Sequence, residues 1–161
     1  MDFLIIFIAN YVLWFVILAA LLTGYKAKRS EQIKMVRLAI IAFPLAYIIA
    51  KIGEHFYYDP RPFMVDHVKP LFPHAPGNGF PSDHTLLTMA IASVLFTYNK
   101  KLGIVFGVLS LCIGFARVLA NVHHSIDIIG SAVFAIAATY VAYLALPYLN
   151  KYLNKIPLLR R

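Results

Sequence analysis

Apolar residues fall into five blocks along the chain: Phe3 to Tyr25, Met35 to Tyr57, Thr85 to Tyr98, Leu102 to Ala120 and Ile128 to Leu149. Four of them have membrane-spanning length, about 17 to 25 residues. In hydrocarbon only helices and closed barrels satisfy the backbone, and these blocks lack the alternating apolar and polar positions of barrel strands. The pattern predicts an all-α integral membrane bundle of five transmembrane helices, folded as a single domain over residues 1–161. The third block has only fourteen residues, short of the ~20 that span a bilayer. Its His84 end is therefore expected to start below the membrane surface, among protein neighbours, and to form a pocket.

The first block has no basic segment after Met1 and Asp2, is too long for a signal peptide and lacks a small-residue cleavage pattern, so it is expected to stay in the mature protein. Pro44 is expected to kink the second helix, and Gly103 with Gly107 forms a GxxxG spacing that permits close helix contact. One connection differs from the rest. The polar stretch from Tyr58 to Ser82 holds six of the nine prolines together with Gly77 and Gly79. A loop of that length in a compact domain points to function, and its prolines lower the entropy lost on ordering it.

Composition agrees with the pattern. The chain has 161 residues, 61% apolar and 14% charged, with a mean hydropathy of +0.74, which excludes an ordinary soluble domain and a disordered chain. Cys112 is the single cysteine, so no intrachain disulfide exists. The net charge of +8 is unevenly placed. Lys26, Lys28, Arg29, Lys34 and Arg37 surround the first connection, Lys100 and Lys101 fill the third, and Lys151, Lys155, Arg160 and Arg161 end the chain. Lys51, Arg61, Lys69 and Arg117 fall toward the opposite side, with all six histidines and six of the seven acids. Five spans starting outside reproduce this partition, so the basic side is expected to be cytoplasmic and the histidine-rich side extracytoplasmic. The basic tail suits anionic lipid headgroups. Nucleic acid is not expected as a partner, because no water-exposed domain carries a basic face.

Polar residues then stand where a membrane protein does not place them without cause. Arg117 lies near the end of the fourth block, a costly depth unless it pairs or binds an anion. It opens the spacing Arg117-x5-His123-x3-Asp127. If the chain is helical from His123, Asp127 lies on the same face and can hold one imidazole nitrogen, leaving the other as base or nucleophile. A second cluster, Pro81-Ser82-Asp83-His84, opens the short third helix, where Ser82 is a candidate cap and free N–H groups suit an anion. A third, Asp59-Pro60-Arg61-Pro62-Phe63, sets an arginine between two prolines, a rigid placement suited to a phosphate clamp.

These three ordered clusters resemble the motifs K-x6-R-P, P-S-G-H and S-R-x5-H-x3-D of the type 2 phosphatidic acid phosphatase superfamily of membrane lipid phosphatases. They stand here as Arg61-Pro62, Pro81-Ser82-Asp83-His84 and Ala116-Arg117-x5-His123-x3-Asp127. The family's lysine position holds Glu54, with Lys51 one turn earlier, while Asp83 replaces the motif glycine and Ala116 the motif serine. D-P-R-P-F and P-S-D-H-T are similar to the bacitracin-resistance subgroup of bacterial undecaprenyl-diphosphate phosphatases. The resemblance implies His123 as nucleophile, Asp127 as its orienting carboxylate and His84 as acid and base. It implies Arg61, Ser82, Asp83 and Arg117 as phosphate-binding positions, with Lys51 as a further ligand and Glu54 as a tuning residue that pairs with an arginine or reads a protonated group. The two imidazoles must then differ in protonation, giving a bell-shaped rate profile over about pH 5 to 9.

No metal or other cofactor is expected, since the arginines supply the charge that a metal would. A zinc site built from His84, His123, His124 and Asp127 is the alternative, weakened because adjacent His123 and His124 cannot readily share one ion in a helix. The expected substrate is an isoprenoid or glycerolipid phosphate: a polyprenyl diphosphate whose released carrier lipid serves cell-wall synthesis, or phosphatidic acid, diacylglycerol diphosphate or phosphatidylglycerophosphate. A lipid phosphotransferase uses the same chemistry. A non-enzyme, with histidines holding haem or relaying protons, needs imidazoles facing one another within several helices, whereas here they gather at one end beside arginines.

Overall fold

The computed structural model of the chain describes residues 1–156; Arg160 and Arg161 of the basic C-terminal group lie outside the described residues. Five long helices form, α1 (Asp2–Lys26), α2 (Arg29–Phe56), α4 (Asp83–Tyr98), α5 (Lys100–Leu119) and α6 (Ser125–Leu153), with a single turn, α3 (Pro62–Val65), inside the long loop. They match the five apolar blocks one for one. The largest difference is at the start of α2, six residues before the block begins. The polar residues there are good helix formers, and Glu31 in the first turn pairs with Lys34 at 2.7 Å. Lys34 and Arg37, which flank the first connection, lie within α2. Arg37 is buried, its Nη1 and Nη2 donating to Asn150 Oδ1 (2.8 Å) and Asn154 Oδ1 (2.6 Å), which ties α2 to the end of α6. The helix continues through Pro44.

Among the described residues, four helices are long and apolar enough to cross a membrane; the sixteen-residue α4 is not one of them. It is instead the central element, packed against α1, α2, α5 and α6. A helix buried on most sides need not match the bilayer thickness, and starting it at Asp83 places His84 beneath the long loop.

Between helices in lipid, association rests on close packing and interhelical hydrogen bonds. Small residues provide the first: Ala42, Ala46 and Ala50 on α2 and Ala135, Ala138 and Ala142 on α6 are all buried where these two helices pack. Hydroxyls provide the second. Thr88 and Ser110 share a 2.7 Å bond between α4 and α5, and Ser131 of α6 donates to the Ser82 carbonyl at 3.0 Å.

Of the Gly103 and Gly107 pair, only Gly103 makes the expected close contact. A Cβ on Gly103 would stand 2.4 Å from the Phe96 Cα, against backbone that cannot turn aside, whereas one on Gly107 would meet nothing within 4 Å. Gly103→Ala is therefore expected to destabilise the α4–α5 hairpin by about 1–3 kcal/mol, and Gly107→Ala to be neutral or better. Melting of the two variants in detergent checks the pair.

Candidate active site

The long loop is ordered by a side chain that caps both its ends. Asn78 Oδ1 accepts from the Asp59 and Phe80 amides (2.9 and 3.0 Å), while its Nδ2 donates to the Glu54 and Tyr57 carbonyls at the end of α2 (3.3 and 3.1 Å). The Gly79 amide adds a 2.7 Å bond to the Asp59 carbonyl. Held this way, the loop lies against the start of α6.

There Asp127, fully buried at the third position of α6, organises two histidines. Its Oδ2 accepts from His123 Nδ1 and from the His124 backbone N–H, both at 3.0 Å. His123 is not helical as expected. It lies just before the cap residue His124, and the contact to Asp127 comes from the turn wrapping back over the helix start, with the carboxylate closing one half of a capping box. A Cβ on Gly79 would stand 2.7 Å from that same Oδ2, so the loop reaches the dyad only because residue 79 lacks a side chain.

The other ring nitrogen of His123 faces Arg61. Nη1 of Arg61 donates to the Val122 carbonyl (2.8 Å) and lies 3.3 Å from His123 Nε2. A guanidinium only donates, so Nε2 carries the lone pair and Nδ1 the proton, the tautomer that suits an Asp127 acceptor. Burial, and then the charges of Arg117 and Arg61, push the His123 imidazole far below its ordinary range. It is neutral and its Nε2 is a free base or nucleophile.

Arg117 closes the site from the last turn of α5. It is buried, with Nη1 donating to the Ala9 carbonyl of α1 (3.1 Å), Nη2 3.0 Å from His74 Nε2, and its Cζ 6.0 Å from the Phe72 ring centre. Nε of Arg61 and Nε of Arg117 are both buried without a hydrogen-bond partner. Two buried, unsatisfied guanidinium donors, on an arginine against His123 and an arginine against His74, are poised for an anion. His84, in the first turn of α4, is near enough for the charge of Arg117 to act on it.

The remaining expected residues are placed differently. Ser82 occupies the cap position of α4 but makes no side-chain cap bond; it is fully buried, and its hydroxyl accepts from Thr85 Oγ1 at 3.4 Å. Asp83 is exposed, and a carboxylate cannot donate to phosphate; its charge instead acts on both site arginines. Lys51 is turned to its own helix, paired with Glu54 and lying over the Tyr47 ring, so Glu54 meets a lysine and not an arginine. An i,i+3 partner on the same exposed face satisfies both charges away from the cluster.

Two contributors were not among the expected site residues. His74 comes from the proline-rich loop with no motif around it, and Asp59, the first residue of the D-P-R-P-F cluster, accepts from His124 Nδ1 at 3.0 Å. The Nε2 of His124 faces Asp66 Oδ2 at 3.4 Å. Among the described residues, Asp59, His124 and Asp127 bring one possible metal-ligand atom each within 4.8 Å of one another. His123 and His124 address different carboxylates.

His124 has both ring nitrogens on acceptors. Against the desolvation that lowers it, the Asp59 carboxylate and the Asp66 bond raise its pKa above the ordinary 6.5. The stability it gives the loop is therefore fully present below about pH 6.5 and lost as pH rises through the folded value. His124→Ala is expected to lower the melting temperature in detergent more at about pH 5.5 than at about pH 9.

Comparison with known proteins agrees with this geometry. Residues 36–151 match the PAP2 superfamily model. The bacitracin transport permease protein BcrC of Bacillus licheniformis is 30% identical over 145 residues, covering 89% of this chain and 71% of that protein. The undecaprenyl-diphosphatase BcrC of Bacillus subtilis (strain 168) is 31% identical over 149 residues, covering 89% and 74%. The crystal structure of Aquifex aeolicus LpxE superposes with a TM-score of 0.72 at 24% identity, covering 89% of this chain and 85% of that one, and shares the fold. With its helical frame, its three ordered motifs and a family match spanning most of its length, the chain belongs to the PAP2 superfamily.

Proposed function

We propose that the protein is a membrane lipid phosphatase that removes the terminal phosphate of a polyprenyl diphosphate, undecaprenyl diphosphate in the first instance, at the extracytoplasmic surface. The observation that carries the reading is the pair of buried, unpartnered Nε donors on Arg61, whose Nη1 lies 3.3 Å from His123 Nε2, and on Arg117, whose charge acts on that same imidazole. The distribution of lysine and arginine supports the orientation, and the name of the Bacillus subtilis relative supports the substrate.

In this reading His123 Nε2 attacks the terminal phosphorus while the bond to the bridging oxygen breaks, its electron pair leaving on the lipid monophosphate. His84, whose pKa burial and then Arg117 push down to about 4 in the free site, takes a proton as the anion enters and donates it to that oxygen. A water then attacks the phosphohistidine, neutral His84 takes its proton, and inorganic phosphate leaves with His123 restored. Arg61 and Arg117 hold the non-bridging oxygens as charge shifts through the transition state. No metal enters this scheme.

Phosphate release by the purified protein in EDTA, from undecaprenyl diphosphate and from phosphatidic acid, tests the reading. Undecaprenyl diphosphate is expected to be turned over at least about tenfold more efficiently. A preference for phosphatidic acid, or activity lost to the chelator, would contradict it. Appearance of the phosphoryl group on a lipid in place of free phosphate would show a transferase.

A further inference from the structure

His74 belongs to none of the three motifs, yet the loop delivers it to the centre of the site. Its Nε2 lies 3.0 Å from Arg117 Nη2, and its ring meets that of His123 edge to face at 6.3 Å between centres. Its Nδ1 lies 3.2 Å from the Ala75 carbonyl. A carbonyl only accepts, so Nδ1 carries the proton and Nε2 the lone pair, and the neutral ring accepts from Arg117. Protonation reverses this. An imidazolium Nε2–H cannot accept from a guanidinium and must turn its proton toward an acceptor.

We propose that His74 is a specificity residue for the diphosphate group: it accepts from Arg117 when neutral, and on taking a proton as the substrate binds it donates to a phosphate oxygen, adding one positive charge to the site. This rests on the phosphatase reading above. A further cation is useful for the larger anion: Arg61, Arg117 and protonated His84 bring three positive charges against the one negative charge of Asp127, whereas a lipid diphosphate carries about one more negative charge than the matching monophosphate. A proton on His74 balances that excess and is not called for by the smaller anion.

The groups facing His74 are Arg117 from α5, Arg61 at the start of α3, His123 before α6 and His84 from α4. None of them is an acid. Burial first, and then Arg61 and Arg117, hold the ring below its ordinary pKa against the Ala75 bond, so it stays neutral until an anion enters. An anion within a few ångströms of both arginines offsets their effect and makes protonation favourable.

The test measures KM and kcat for undecaprenyl diphosphate, and the inhibition constant of undecaprenyl monophosphate, from about pH 5.5 to 8.5. It uses the full chain in detergent, as wild type, His74→Ala and His74→Gln. For His74→Ala the KM is expected to rise about tenfold or more below neutral pH, with the inhibition constant and kcat each changing less than about threefold. His74→Gln keeps a donor but cannot titrate, so it is expected to recover part of the affinity and to lose the rise in affinity that the wild type shows as pH falls. Equal weakening of the two ligands in His74→Ala, or a fall in kcat with KM unmoved, would overturn the proposal and leave His74 as a prop for Arg117. Loss of folding by His74→Ala leaves the pH dependence of His74→Gln as the deciding measurement, and a wild-type slope there would overturn the proposal. A wild-type protein inert toward undecaprenyl diphosphate would overturn the phosphatase reading itself, a result distinct from any of these.

Discussion

Replacing His123 with alanine is expected to lower phosphate release by on the order of 10⁴-fold or more, with substrate binding largely kept. The size of the effect follows from what the side chain does. Its Nε2 is the one imidazole lone pair in the site with a neighbouring guanidinium donor at 3.3 Å and a carboxylate fixing the opposite nitrogen at 3.0 Å. Removing it eliminates the covalent step, whereas Arg61 and Arg117 remain to hold the phosphate. Steady-state phosphate release, paired with equilibrium binding of the lipid, separates the two. Full activity in this variant would remove the nucleophile from the scheme.

Asp127→Asn should lower kcat by on the order of 10³–10⁴-fold. Oδ2 of Asp127 accepts from the His123 ring and from the His124 backbone. An asparagine carbonyl in the place of Oδ2 keeps both bonds but loses the negative charge that supports the imidazole as it attacks, and an amide turned the other way donates to His123 Nδ1, which forces the proton onto Nε2 and cancels the nucleophile. The loss should therefore appear in kcat with KM little changed. A rise in KM alone would mean that Asp127 serves the loop rather than the imidazole. Melting measured alongside distinguishes this from unfolding, since Asp127 also caps α6.

The helical frame was legible because lipid imposes a simple rule: apolar blocks of spanning length become helices. The rule weakens at polar ends, which is why the start of α2 at Arg29 and of α6 at Ser125 lay outside their apolar blocks. The spacing of Arg117, His123 and Asp127 was visible on the sequence, although the contact between the last two is made through a turn and a capped helix start. His74 was not legible, since a loop residue between prolines has no periodicity to place it, and only the fold of residues 58–82 carries it to Arg117. Ser82 and Lys51 show the converse: their residue types suit phosphate, while the fold buries one at the start of α4 and pairs the other with Glu54. Pairing between near neighbours along one helix competes with any distant ligand, as Glu54 does for Lys51.

The account depends on His123 carrying the phosphoryl group in turn with water. Rapid mixing of the wild-type protein with undecaprenyl diphosphate radiolabelled in its terminal phosphate, followed by an alkaline quench, should trap label on the protein in an alkali-stable, acid-labile form that peptide mapping assigns to His123. Release of labelled phosphate at the normal rate with no labelled protein at any time, or label assigned to another residue, would contradict it.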